Sequence, residues 1–105
     1  MNRLNRRIAL IGTVFFLISL LISAVALTPD GEALFREQRC NTCHRLKGHG
    51  GMLGPDLSDV IKRRGIIWTI RQIRNPKSHN PVSRMPSYDH LGYIETYAII
   101  SYLKP

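Results

Sequence analysis

Acidic side chains are scarce in this chain of 105 residues: 7 Asp and Glu stand against 15 Lys and Arg, for a net charge of +8. Paired carboxylates, a nucleophile constellation and a phosphate-cradling loop are all missing, so no catalytic role presents itself. Cysteine is limited to Cys40 and Cys43. Without a third cysteine, a thiolate zinc site lacks ligands of matching type. Strand alternation, internal repeats and low-complexity segments are also absent, which leaves an all-α reading with room for one small domain and a short appendage. The positive excess suits an acidic protein partner or anionic lipid. No nucleic acid is expected, because the basic residues alternate with core residues and no recognition motif accompanies them.

One feature is present in excess. From Ile8 to Leu27 the chain runs twenty residues without a charge. As a helix at about 1.5 Å per residue this spans roughly 30 Å, the thickness of a bilayer's hydrocarbon core. Arg3, Arg6 and Arg7 precede it and predict a cytoplasmic N-terminus with everything after Leu27 on the outer side. The same residues support a second reading, in which Ala24-Val25-Ala26 is a signal-peptidase pattern and a soluble protein is released after Ala26. The length of the run favours the anchor. Residues 1–27 are thus expected to be a signal anchor or signal peptide and residues 28–105 an exported domain.

The two cysteines lie in Cys40-Asn41-Thr42-Cys43-His44. A C-x-x-C-H run reads as a c-type haem attachment site. Two thiols on one turn of backbone can add to the two vinyl groups of one porphyrin, and the adjoining imidazole then falls under the iron. A dithiol redox pair would want a strand–helix setting, which is not evident here. Export also suits thiols that end as a disulfide or as haem thioethers. A domain of this size is near the lower limit for a self-supporting core, and a covalently held porphyrin would fill it.

Along that domain, Thr28-Pro29-Asp30 reads as a helix start with the Thr28 hydroxyl as cap, and Leu34 and Phe35 as the buried face. The glycines from Gly48 to Gly54 exclude a helix and predict a loop that passes close to something. Ser58 is expected to cap a short helix stopped at Gly65. Ile66, Ile67, Trp68, Ile70 and Ile73 form a helical pattern closed by Asn75-Pro76. Residues 76–86 carry three prolines and read as an extended loop. Asp89 would cap a last helix with Leu91, Ile94, Tyr97, Ala98 and Tyr102 inward, and His90 solvated in its first turn.

Haem iron with one proximal histidine needs a sixth ligand or stands open. Met85 is the best placed candidate: it lies in the proline-bounded loop, outside any apolar stripe, and is followed by Pro86. It lies forty-one positions after His44, enough chain to reach the opposite haem face. His79 and an open site are the alternatives. Met52 and His49 follow His44 too closely to cross the haem.

Taken in order, Gly31-x-x-Leu34-Phe35, Cys40-x-x-Cys43-His44, Gly54-Pro55-Asp56-Leu57, Trp68, Met85-Pro86 and the ending Tyr102-Leu103 resemble a small bacterial class I cytochrome c. The resemblance covers Gly31 to Leu103. It implies three to four helices around one covalently bound haem c, with the first and last helices crossing. It further implies thioethers at Cys40 and Cys43, axial bonds from His44 and Met85, and a Pro55 carbonyl that accepts the His44 N–H. Leu57 would pack on the haem and Trp68 would lie near a propionate, though plain core roles serve both equally well.

A haem closed by histidine and methionine has no vacant position for substrate, so one-electron transfer is the expected function. The protein would be a tethered or periplasmic carrier, or the haem subunit of a respiratory complex, on the outer side of a bacterial cytoplasmic membrane. Lys47, Lys62, Arg63, Arg64, Lys77 and Arg84 could steer an acidic redox partner, or simply be a solvated basic face. The alternative function is a haem sensor or ligand-binding domain from which Met85 is displaced.

Overall fold

An apolar run with no polar face has nothing in a small domain to fold against. The first element of the structure, a computed structural model describing residues 2–105, bears this out. Helix α1 (Arg3–Ala26, 24 residues) buries none of its side chains. It is long and apolar enough to cross a membrane. Asn2 caps its start, accepting from the Asn5 N–H at 2.8 Å. At its other end the Thr28 hydroxyl donates to the Val25 carbonyl at 2.5 Å. Thr28 therefore closes α1 and does not open the next helix, as the sequence had suggested. Asp30 takes the capping role because its carboxylate reaches two free N–H groups, Glu32 at 3.0 Å and Ala33 at 3.2 Å.

Helix α2 (Gly31–Glu37) buries Phe35, and the last helix, α6 (Tyr93–Leu103), lies across it. Their crossing point is Gly31. A Cβ there would stand 1.9 Å from the Ala98 carbonyl oxygen, so only a residue without a side chain permits this approach. Beyond the crossing, Phe35 meets the Tyr102 ring edge-on at 5.4 Å between centroids. The expected crossing of first and last domain helices is present.

The buried face of α6 is not the expected one. The helix starts at Tyr93 behind Gly92, with the Glu95 carboxylate accepting from the Gly92 N–H at 3.4 Å, and Asp89 lies outside it. Its inward stripe is Thr96, Ile99, Ile100 and Leu103, whereas Ile94 is 72% and Tyr97 47% exposed. Apolar residues surround this helix on nearly every side, so spacing alone does not select a face; the close approach at Gly31 does. Thr96 tolerates full burial because its hydroxyl donates to the Gly92 carbonyl at 2.8 Å. Leu91 is buried as expected, from the loop before the helix.

Helices α4 (Val60–Arg64) and α5 (Ile66–Arg74) meet at Gly65, whose φ of 81° and ψ of 170° belong to a region nearly restricted to glycine. The expected stop is thus in place. Ser58 is not the cap of α4, however. Its hydroxyl instead accepts from the Lys47 N–H at 2.9 Å, and its own N–H donates to Asp56 at 2.8 Å. Within α5, Thr69 and Ile73 are buried, while Ile67 is exposed. A 3-10 turn at Pro76–Ser78 opens the long loop to α6.

A small hairpin also forms where no strand was expected. Strand β1 (Arg45–Leu46) pairs antiparallel with β2 (His49–Gly50). Lys47 and Gly48 make its turn with φ of 50° and 83°, the geometry that suits a two-residue hairpin. Strands of two residues are too short to show alternation in a sequence.

Candidate cofactor site

The attachment motif occupies a single helical turn, α3 (Cys40–Cys43), whose neighbouring residues leave helical geometry on both sides. Arg39 enters it in the left-handed region at φ 57°, and His44 leaves it extended at φ −109°, ψ 137°. Both thiols therefore share one turn while the imidazole departs from it. Cys40 and Cys43 are unbridged and half-buried. Burial, with a smaller contribution from Cys43, pushes the Cys40 thiol up to about 11. A reactive thiol carries the opposite shift, so the burial of Cys40 does not favour the redox-pair reading.

His44 is held from two sides. Its Nδ1 lies 2.8 Å from the Pro55 carbonyl oxygen, as expected. A carbonyl only accepts, so Nδ1 is the nitrogen that donates and Nε2 is the one not engaged by Pro55. A Cβ on Gly54 would lie 2.6 Å from the ring's Cε1, so main chain packs directly on the imidazole. The Gly54 N–H donates to the Cys43 carbonyl at 2.7 Å, and Gly51 N–H to Asn41 at 2.9 Å. The glycine loop does pass close to something, namely the attachment turn itself. Next to it, Asp56 is held below the usual carboxylate range by the Ser58 hydroxyl and N–H, with smaller help from Arg45 and Arg63.

Met85 sits half-buried against the core in the loop between the 3-10 turn and α6. Helix α5 fixes that loop. The Ser87 hydroxyl donates to the Arg74 carbonyl at 2.6 Å, the Tyr88 N–H to Ile73 at 3.0 Å, and the Arg74 guanidinium to the Leu91 carbonyl. The Tyr88 hydroxyl reaches the Gln38 carbonyl at 3.1 Å, linking the loop to the segment before Cys40. Burial raises the Tyr88 phenol, and Cys40 and Cys43 add to the shift.

The other candidate ligands have different surroundings. His79 stacks on Trp68 with ring centroids 4.5 Å apart and planes 2° from parallel, and its Nδ1 lies 2.8 Å from Gln72 Oε1. His90 is exposed but not free in solvent; it lies before α6, and its Nε2 is 2.9 Å from Gln38 Oε1. His49 is in β2 and Met52 is 81% exposed. Leu57 and Trp68 both pack against the core. Among the described residues, no group of three or more His, Cys, Asp and Glu side chains gathers to hold a metal ion on its own. Gln72, whose Nε2 lies 3.5 Å from Met85 Sδ, was not legible as a neighbour of the candidate ligand. Its spacing of four from Trp68 marked only a shared helix face.

The family model described as cytochrome C oxidase, cbb3-type, subunit III matches residues 26–103. The chain belongs to that family. Among curated proteins no match was found. The matched stretch contains every domain helix from α2 to α6. The protein is therefore a small monohaem cytochrome c behind an apolar N-terminal helix, and its chemistry is haem-based electron transfer. The cytochrome's donor set fits haem c: two unbridged thiols on one turn, and an adjoining imidazole whose Nδ1 is engaged and whose Nε2 is left to bind iron.

Proposed function

We propose that this cytochrome passes single electrons through one haem, held covalently by Cys40 and Cys43 and ligated by His44 and Met85, while residues 1–27 tether residues 28–105 to the membrane. The observation that carries this reading is the His44–Pro55 contact at 2.8 Å directly behind the paired thiols. Donation to a carbonyl fixes the ring and makes Nε2 a stronger donor. When bound, the haem supplies a one-electron couple, and a methionine ligand favours its reduced form over a second histidine. The Met85 thioether would close the remaining position, so the protein transfers electrons and is not an enzyme by itself.

Arg3, Arg6 and Arg7, in the first turns of α1 ahead of its uncharged run, support a cytoplasmic N-terminus and a haem domain on the periplasmic side of a bacterial cytoplasmic membrane. The family's description names an oxidase subunit, which supports delivery of electrons to an oxidase complex as well as service as a tethered carrier. Lys47, Lys62, Lys77 and Arg84 are exposed and available to steer an acidic partner, as is Arg64, which is exposed but lies over the Trp68 ring at 4.9 Å. Arg63 is less available, since it pairs with Asp59 at 2.8 Å and donates to the Asp56 carbonyl at 3.1 Å.

Mass measurement on denatured protein purified from membranes tests the proposal. The expected species is the chain with its N-terminal helix plus one haem. Haem released on denaturation would overturn covalent attachment, and a mature N-terminus at Leu27 would overturn the tether.

A further inference from the structure

Helix α6 has two apolar faces, and the domain covers only one. Thr96, Ile99, Ile100 and Leu103 are buried, whereas Tyr93 and Ile94 are about as exposed as lipid-facing side chains of α1, and Tyr97 follows one turn on. Ile94 and Tyr97 line a groove whose other wall includes Thr28, Pro29 and Asp30, the segment that joins α1 to α2. On the opposite flank Tyr93 shares a groove with Ile67 and Ile70 of α5. Each tyrosine ring carries a cation. The Arg74 guanidinium lies 4.3 Å from the centre of the Tyr93 ring, and Lys104 Nζ lies 5.1 Å from that of Tyr97, whose hydroxyl accepts from the same ammonium at 3.2 Å. Aliphatic side chains, tyrosines and long cations laid along them suit the boundary between acyl chains and headgroups. An uncovered apolar face of this kind marks a contact surface.

The chain itself brings that face to the membrane. Only Leu27, Thr28, Pro29 and Asp30 separate the end of α1 from the start of α2. Fully extended, that linker reaches roughly 15 Å. Gly31, the first residue of α2, is also where α6 crosses, with the Ala98 carbonyl packed against it. The crossing thus lies at the end of the domain nearest the bilayer, beside a headgroup layer about 5–7 Å deep. Docking of a domain tethered this closely is intramolecular and needs little affinity of its own. We propose that the outer face of α6, through Tyr93, Ile94 and Tyr97, docks on the bilayer that α1 spans and seats those side chains between acyl chains and headgroups. This rests on the reading of residues 1–27 as a retained tether. The attachment turn follows from the other end of α2, so the glycine loop packed on it, with exposed Leu53, stays clear of lipid.

Photolabelling of the full-length holoprotein in vesicles of phosphatidylcholine and phosphatidylglycerol tests this. The probe is a phosphatidylcholine with a diazirine high in its acyl chain, and labelled residues are mapped by mass spectrometry. Helix α1 and residues 93–97 should be labelled. Val82 and Leu53 should not, although they are 83% and 88% exposed, which separates docking from mere exposure. In I94D the labelling of Tyr93 and Tyr97 should fall at least about threefold, because an aspartate forfeits apolar burial and adds a desolvation cost. The same variant should keep α1 labelled and melt like wild type, since Ile94 lies outside the core. If α1 is unlabelled, or the mature chain begins at Leu27, the tether reading fails and this inference with it. If α1 is labelled and residues 93–97 are labelled no more than Val82 and Leu53, the tether stands and docking on lipid is overturned. I94D labelled like wild type would overturn it too. Labelling of residues 93–97 that falls as protein density in the vesicles rises would assign the face to a second copy of the chain, against this proposal.

Discussion

Replacing Gly31 with alanine should destabilise the haem domain far more than one added methyl group suggests. The new Cβ would lie 1.9 Å from the Ala98 oxygen, 2.6 Å from its carbonyl carbon and 3.2 Å from Ile99 N. Contact at 3.4 Å is ordinary, so α2 and α6 must part by about 1.5 Å along that line. All three clashing atoms are main chain, and no rotamer change relieves them. The separation loosens the residues packed at the crossing, Phe35 against Tyr102 and Ile99, Ile100 and Leu103 beneath, each of which loses part of its dispersion energy over a gap of that size. Overpacking of this kind costs about 1–3 kcal/mol. Against it stands the gain of alanine over glycine in a helix, at most about 1 kcal/mol and less in the first turn. The clash wins, and we expect a net loss of about 2 kcal/mol, or on the order of 10 °C in Tm for a domain of this size. Thermal unfolding of detergent-solubilised holoprotein, followed by far-ultraviolet circular dichroism, measures it. Adding A98G should not restore stability, because the obstruction is the carbonyl and not the Ala98 methyl. A G31A variant melting within about 2 °C of wild type would refute the close crossing.

Gly54→Ala acts on His44, the proposed axial histidine. Its Cβ, 2.6 Å from Cε1, pushes the imidazole off the Pro55 carbonyl, weakens Nε2 as a donor, and should raise the potential by roughly the fivefold equilibrium change of one hydrogen bond. A potentiometric titration matching wild type would show that the ring has room to spare. Asp56 offers a test in pH. The fold holds its carboxyl below the ordinary carboxylate range, so its contribution to stability is fully present above that range and is lost as pH falls through the folded value. Asp56→Asn should therefore be less stable than wild type at neutral pH, with the gap closing in acid; a gap that is constant with pH would remove the carboxylate from the account.

Features carried by neighbouring residues were legible in the sequence, and those decided by distant partners were not. The uncharged run, the C-x-x-C-H turn and the stop at Gly65 each depend on local chemistry and occur where expected. Caps were misjudged at Thr28, Ser58 and Asp89 because several short polar residues compete at each helix start, and only the folded backbone shows which reaches a free N–H. The inward face of α6 was hidden by apolar residues on all its sides, and Gly31, sixty-seven positions before Ala98, selects it. His44 and Pro55 were legible as a pair because the family resemblance links them. Gln72 and His79 belong to no motif, and only the fold shows that one amide joins a stacked imidazole to the Met85 sulfur.

The central claim, that Met85 closes the iron, is tested most directly by mixing carbon monoxide with the reduced holoprotein. An iron already holding His44 and Met85 has no free position, so wild type should fail to bind on the timescale of mixing, while Met85→Ala should bind at once. Wild-type binding as fast as that of the variant would contradict the account and leave a haem open to ligands in place of an electron carrier.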